Sequence, residues 1–191
     1  MTTGEILNLV DDLVKNSLSN EKKVIFLNLA QTELYKDYPL PEKMGRFNTV
    51  VGQSFYDLPD DCPEDRILWV TLDGKKYEYQ SPEEEYQDEK RFWAIAIGEL
   101  FISEPDSVVE GVIYYRPSPT ALSASSLTAA PDFPPDLHEL LALGGAIRVA
   151  EATKQYEKKQ SLKGDYLELK DGSVKRIKKR APHRVTVGRY M

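Results

Sequence analysis

The spacing of apolar residues changes twice along this chain, and that change constrains the fold more than any other feature. Residues 1–45 place apolar side chains three and four positions apart, which predicts helices. From residue 46 to 117, apolar and aromatic residues alternate with polar ones between turn signals, as in β-strands. Helical spacing returns at residue 132. We therefore predict an α+β fold, in which a helical bundle of residues 1–45 and 132–171 holds an inserted antiparallel β domain at 46–117.

One turn of the β region is specified closely by its residues. The segment Arg66–Leu72 alternates like a strand, and Asp73-Gly74 follows it. Asp-Gly suits a type I′ hairpin turn, which needs positive φ at both central residues. Lys75–Gln80 is therefore predicted to be the return strand. A short capped helix is predicted at Ser81–Glu85. Further strands are predicted at Phe47–Val51, Phe92–Ile97, Glu99–Ser103 and Gly111–Arg116.

A loop and a long helix are predicted after the β region. Residues 118–131 contain no charged side chain and consist mainly of Pro, Ser, Thr and Ala, which is typical of a loop. One helix is predicted from Asp136 to about Gln160, although Gly144-Gly145 in its middle costs about 2 kcal/mol relative to two alanines. These glycines are either tolerated or allow another helix to approach closely. We favour the second interpretation and assign Gly144, Gly145 and Ala146 to packing.

Charge is distributed unevenly along the chain. Residues 154–191 contain 12 Lys and Arg against 4 Asp and Glu, whereas residues 1–153 contain 13 against 27. We predict an extended basic tail at 172–191 that becomes ordered only on a partner. Three roles remain open for its Lys175–Arg180 cluster, namely docking on an acidic protein surface, contact with a nucleic-acid backbone, and simple solvation. We favour docking, and a neighbouring copy of the chain's own acidic body is one possible surface.

The sequence offers little that could support catalysis. It contains no phosphate loop and no nucleophile elbow. His138 and His183 are not at metal-ligand spacing, and His138 is predicted to lie on a helix surface. Cys62 has no basic neighbour to activate it, and the acids of residues 83–89 diverge around a helix. We therefore expect no catalytic residue, no metal and no cofactor, and predict that the chain is not an enzyme. Its longest apolar runs are too short for a membrane helix.

Three runs, taken in order, carry a family resemblance. A G-x-x-x-Y-x-L-P-x-D run is followed by a strand that ends in Tyr-Tyr before a proline, and then by a long helix that starts after Pro135 and contains small residues. The matching positions of the first two runs are Gly52, Tyr56, Leu58, Pro59, Asp61, Tyr114, Tyr115, Arg116 and Pro117. Over residues 3–160 this order resembles that of the head–tail adaptor (connector) proteins of tailed bacteriophages.

The resemblance implies a structural virion protein in the neck, at the portal vertex, assembled in the host cytoplasm. Such adaptors form a homo-oligomeric ring, usually of twelve copies, around the DNA channel, and Gly144, Gly145 and Ala146 would pack between subunits. The implied partners are the portal protein and a tail or stopper protein, with double-stranded DNA passing without sequence recognition and no membrane involved. The alternatives are a related neck component, either a stopper or a tail-completion protein, and a nucleic-acid-binding protein that uses the basic tail.

In several adaptors the C-terminal segment docks on the portal, so the resemblance assigns residues 172–191 to portal docking. The polar contacts are assigned to Lys175, Arg176, Lys178, Lys179, Arg180, His183 and Arg184, and the apolar contacts to Val185, Val187 and Tyr190. The β region is longer than in the smallest adaptors, and the tail is strongly basic. These differences leave open what the β region contacts, and whether the tail touches portal or DNA.

Overall fold

The computed structural model describes residues 1–81, 91–103, 105 and 107–180, with the backbone alone over 173–180. These residues contain four α-helices and seven β-strands, so the predicted α+β class is confirmed. The helices are α1 (Thr3–Leu13), α2 (Asn20–Asp37), α3 (His138–Ala152) and α4 (Tyr156–Arg180). The strands are β1 (Lys43–Asn48), β2 (Phe55–Tyr56), β3 (Ile67–Leu72), β4 (Lys75–Tyr79), β5 (Phe92–Ala96), β6 (Glu99–Ile102) and β7 (Glu110–Tyr115).

The chain divides into two compact units. The first, the helical unit, combines Met1–Leu34 with the residues from Ala121 onward, and the second, the sheet unit, is Tyr35–Thr120. In the helical unit, α3 packs against α1 and α4. Its largest fully buried apolar side chains are Ile6, Val10, Leu27, Leu34, Leu137, Leu140, Leu141 and Leu162.

Helix α1 begins with a capping box in which Thr2 is the N-cap. The Thr2 hydroxyl accepts a hydrogen bond from the Glu5 N–H at 3.2 Å, and the Glu5 carboxylate accepts one from the Thr2 N–H at 2.8 Å. Thr3 is instead buried, and its hydroxyl donates to the Ala129 carbonyl at 2.8 Å. The cap and the loop before α3 are therefore joined at this point.

The prediction of one helix from 136 to about 160 is wrong, because the chain breaks between α3 and α4. Lys154 takes φ +59°, a left-handed conformation that ends a helix. The Thr153 hydroxyl donates to the Val149 carbonyl at 2.8 Å, and the Gln155 N–H donates to the Ala150 carbonyl at 2.8 Å. Glycine usually occupies this left-handed position, so a lysine there gives no sequence signal that the helix ends.

The sheet unit is a curled seven-stranded sheet with the strand order β1-β7-β3-β4-β5-β6-β2. Its two end strands come close to each other, since the rings of Phe47 and Tyr56 lie 4.9 Å apart. The Tyr56 hydroxyl accepts from the Val50 N–H at 3.1 Å and donates to the Gln53 carbonyl at 2.8 Å, which closes the turn between β1 and β2. The buried core of this unit is Tyr56, Cys62, Val70, Leu72, Trp93, Leu100, Ile102, Ile113 and Tyr115.

The sheet is mixed, so the prediction of an antiparallel domain is wrong at one pair. β4 and β5 are parallel, with Glu78 opposite Phe92 and Tyr79 opposite Trp93. A parallel pair needs a connection of about a dozen residues, and residues 80–91 between these strands supply one. The helix predicted at Ser81–Glu85 falls mainly in this connection, outside the described residues.

Two hairpins of the sheet use turns with positive φ at both central residues. Asp73 and Gly74 have φ +49° and +70°, which confirms the turn predicted between β3 and β4. Ile97 and Gly98, between β5 and β6, have φ +58° and +80°. A β-branched residue rarely adopts this conformation, and Ile97 is also 96% exposed. The first strand is shifted from the predicted Phe47–Val51 to β1, Lys43–Asn48.

Candidate functional site

The two sequence motifs of the sheet unit meet at the carboxylate of Asp61. The Tyr115 hydroxyl, from the end of β7, donates to Asp61 Oδ1 at 2.6 Å, and Lys43 Nζ, from β1, donates to Oδ2 at 2.7 Å. Burial of the Asp61 carboxyl opposes its ionisation, but these two hydrogen bonds outweigh it and hold its pKa below the ordinary value. Burial and the bond to Asp61 raise the pKa of Tyr115 far above its usual range. The carboxylate therefore joins three separate parts of the unit.

The backbone around Asp61 is held as firmly as its side chain. The Cys62 N–H donates to the Pro59 carbonyl at 2.8 Å, and the Ser118 N–H donates to the Asp61 carbonyl at 2.8 Å. Gly45 on β1 faces Pro59 so closely that an added Cβ would lie 2.7 Å from the proline Cγ. Cys62 is buried, which raises the pKa of its thiol to about 11, so it remains a thiol rather than a reactive thiolate.

The residues after Tyr115 fasten the end of the sheet unit. The Tyr35 hydroxyl donates to the Arg116 carbonyl at 3.1 Å, and the Arg116 N–H donates to the Arg66 carbonyl at 3.1 Å. The Arg66 guanidinium lies 5.5 Å from the centre of the Tyr35 ring. Tyr114 stacks on Trp69 at 4.7 Å. The motif residues thus build the framework of this unit, in which the hydroxyls of Tyr56 and Tyr115 and the carboxylate of Asp61 make internal hydrogen bonds.

The small residues of α3 lie against α2 of the same chain. A Cβ added to Gly144 would meet the Ala30 Cβ at 2.9 Å, and one added to Gly145 would meet Leu27 Cδ2 at 2.5 Å. Ala146 is fully buried. Another helix does approach here, as the sequence suggests, and it is an intramolecular one. The assignment of Gly144, Gly145 and Ala146 to subunit packing stays a prediction.

The basic cluster lies in the last turns of α4. We predicted an extended chain from residue 172, but the backbone stays helical to Arg180. Five of the six residues in Lys175–Arg180 are Lys or Arg. Positive charge at a helix C-terminus is favourable because the helix dipole is negative there, so the cluster stabilises the helix that contains it. Lys175, Arg176, Lys178, Lys179 and Arg180 thus share one helical end, whereas His183, Arg184, Val185, Val187 and Tyr190 lie outside the described residues.

His138 is buried, so its predicted position on a helix surface is wrong. It is 2% exposed, its Nε2–H donates to the Phe133 carbonyl at 2.8 Å, and its Nδ1 accepts from the Met1 amino group at 2.8 Å. Burial lowers the pKa of His138, which keeps the ring neutral at neutral pH. The histidine joins the loop before α3 to the start of the chain.

A metal centre and a membrane-spanning helix are two further kinds of functional feature. Within the described ranges, no group of three His, Cys, Asp or Glu side chains is placed to hold a metal ion. The acidic run at 83–89 lies outside those ranges. Among the helices that the structure describes, none is both long and apolar enough to cross a membrane.

Comparison with known protein families gives a match that spans almost the whole chain. The family model described as SU10 adaptor protein matches residues 1–188. No curated protein matches the chain.

Proposed function

Because the chain belongs to the SU10 adaptor protein family, we propose that it is a bacteriophage head–tail adaptor that forms a ring beneath the portal. In this proposal the ring joins the capsid to the tail and continues the DNA channel, and closed cyclic symmetry sets the number of copies, with twelve as the expected number. The role is structural, not enzymatic. The observation that carries the proposal is the family match over residues 1–188, which includes both units.

The helical unit is the part that we assign to ring building. Its helices are packed closely, with two glycines of α3 against α2 and a fully buried apolar core. Such a unit keeps its shape when neighbours press on it, as a ring subunit requires. The Arg148 guanidinium on α3 also pairs with Glu33 on α2 at 2.5 Å, and Lys159 on α4 pairs with Glu151 on α3 at 2.6 Å. These ion pairs tie the same helices together on their outer sides.

The basic end of α4 is the part that we assign to portal docking. The helix has 25 residues and is therefore about 37 Å long, enough to carry its tip away from the buried part of the unit. After the buried Leu162, residues 163–168 are exposed except for the half-buried Tyr166. A cationic helix tip suits an acidic protein surface, because complementary charge speeds association and selects the partner.

The ring is tested by the number of copies in the virion. We would purify particles and quantify this chain against the major capsid protein by mass spectrometry. The proposal expects about a dozen copies per particle, the number that is usual for the adaptors that this chain resembles. Absence of the chain from particles would refute an adaptor role, and one or two copies would refute the ring.

Portal docking is tested by two variants of α4 that remove equal charge. The test variant combines Lys178→Ala, Lys179→Ala and Arg180→Ala, and its matched control combines Lys158→Ala and Lys163→Ala with Lys170→Ala. Incorporation into particles should fall for the test variant and stay near wild type for the control. Equal loss in both would show that net charge matters rather than the helix tip, and no loss in the test variant would contradict the docking assignment.

A further inference from the structure

A slot lies between β3 and β5 in the sheet unit, beside the parts of these two strands that do not pair with β4. β4 pairs with β3 through Val70–Leu72, and with β5 through Glu78 and Tyr79. A hydrogen bond from the Gln80 N–H to the Trp93 carbonyl, 2.9 Å long, extends this second pairing by one residue. Beyond it lies a cavity of about 600 Å³, within the range of pockets that bind ligands.

The slot is bordered by strand edges. In the described part of the chain, Ile67 and Trp69 of β3 pair with β7 alone, with a register shift between them, and residues 94–96 of β5 pair with β6 alone. Backbone N–H and C=O groups on an unpaired strand edge are available to an added strand. Two such edges on opposite sides of one cavity are the arrangement that an extended peptide can complete.

The chemistry of the slot indicates what kind of peptide it would take. Its walls are apolar and aromatic, and consist of Ile67, Leu68, Tyr79, Trp93 and Ile95. Its rim carries two exposed acids, Glu64 and Asp65. An extended segment with aliphatic side chains, positive charge and no acid would match both features.

The exposed isoleucine of the β5–β6 turn supports an occupant independently. Ile97 follows Ile95 by two positions along the chain, and a Cβ added to the next residue, Gly98, would lie 3.6 Å from the Glu64 carboxylate. The turn therefore borders the acidic rim. An isoleucine here combines an unfavourable positive φ with almost complete exposure, whereas Asn or Gly would suit the turn better. Burial by an incoming strand would give this side chain a function.

We propose that the slot binds residues 183–190 of this chain, His-Arg-Val-Thr-Val-Gly-Arg-Tyr, as an added β-strand. This segment has three consecutive β-branched residues, contains two arginines and has no acid. It belongs to the basic part of the chain, whereas the slot belongs to the acidic part. The contact goes beyond the proposed function, because it is made by copies of the adaptor alone. Residues 183–190 would bind the slot and the portal at different times.

Site-specific photocrosslinking of the full-length purified protein tests the proposal. A benzoylphenylalanine replaces Tyr79, which lines the slot and is exposed, and in the control it replaces Phe55, an exposed aromatic on β2 at the far end of the strand order. After irradiation and digestion, mass spectrometry should find adducts to residues 183–190 from position 79 and not from position 55. Adducts to residues 82–90 alone, equal yields from both positions, or no adduct would overturn the proposal.

A charge exchange tests the pairing of the acidic rim with the segment. Glu64→Lys with Asp65→Lys should lower the crosslink yield about fivefold, since two exposed attractions become repulsions. Adding Arg184→Glu with Arg189→Glu should restore it. A crosslink yield that stays the same after both pairs of substitutions would exclude the acidic rim as the recognition element. Copy number in particles does not depend on this contact, so failure here and failure of the adaptor role would be told apart.

Discussion

Replacing Gly145 with alanine should destabilise the helical unit, although alanine is the better helix former. Within a helix the change gains about 1 kcal/mol from intrinsic propensity. The added Cβ, however, would lie 2.5 Å from Leu27 Cδ2 and 3.5 Å from Val10 Cγ2. Leu27 is completely buried, so its side chain has little room to move. Overpacking of this kind costs about 1–3 kcal/mol, so after the propensity gain we expect a net loss of up to about 2 kcal/mol.

The matched control is Gly164→Ala, in α4 of the same unit. Among the described residues, no atom outside its own stretch of helix lies within 4 Å of the position that its Cβ would take. Only the propensity gain remains, so this variant should be more stable than wild type by up to about 1 kcal/mol. The two substitutions are chemically identical, so the propensity gain cancels between them. The predicted difference in the free energy of unfolding, about 1–3 kcal/mol, isolates the contact with α2.

Urea unfolding followed by helical circular dichroism measures this difference, because all four helices begin in the helical unit. A second measurement identifies the clashing atom. In a Leu27→Ala background, Gly145→Ala should become neutral or stabilising, which corresponds to a coupling of about 2 kcal/mol between the two sites. If Gly145→Ala instead stabilises wild type as much as Gly164→Ala does, α2 is not in contact with α3 at this point and the intramolecular assignment fails.

Three further outcomes follow from the sheet unit. Tyr115→Phe should lower its free energy of unfolding by about 1–2 kcal/mol, because a bond to a charged acceptor is lost, whereas Tyr114→Phe should change it by less than about 0.5 kcal/mol. The pKa of Asp61 in the folded protein is below its unfolded value. The stabilisation from the Tyr115 hydrogen bond should therefore be complete above the ordinary carboxyl pKa and be lost as the pH falls through the lowered pKa of Asp61. Unfolding curves at several pH values would show this. Alkylation of Cys62 by iodoacetamide should be slow in the folded protein and fast in urea, because burial raises the pKa of this thiol to about 11. Mass spectrometry measures the labelling, and fast labelling without urea would contradict the burial. Ile97→Asn should raise the melting temperature while lowering the slot crosslink, since Asn accepts positive φ but gives up the apolar contact; a lower melting temperature would contradict the strain at this turn.

The sequence predicts most elements of this fold because they depend on local pattern. The type I′ turn at Asp73-Gly74, for example, is determined by the two residues that form it. The parallel pairing of β4 with β5 depends on distant strands, and alternation within one strand contains no information about its partner's direction. The break at Lys154 was missed for a different reason, because it uses a residue type that ordinarily continues a helix.

The candidate interaction surfaces were less accessible to sequence reasoning than the framework. The basic cluster was found from charge alone, but its helical state depends on the continuation of α4, which polar residues obscure. The slot depends on where β4 leaves β3 and joins β5, which no local signal reports. The burial of His138 was missed because its two hydrogen-bond partners, Phe133 and Met1, are brought together only by the fold.

The residues that carry the family resemblance are thus different from those that we expect to contact partners. Asp61, Tyr115 and Tyr56 make internal hydrogen bonds, and Gly145 lies against a buried leucine. Substituting any of them destabilises the fold, and lower stability alone reduces the amount of an adaptor in particles, whether or not the residue touches the portal. Loss of incorporation is therefore informative only for exposed positions, such as the α4 tip compared with its charge-matched control. For the framework residues, the free energy of unfolding is the quantity that separates folding from docking.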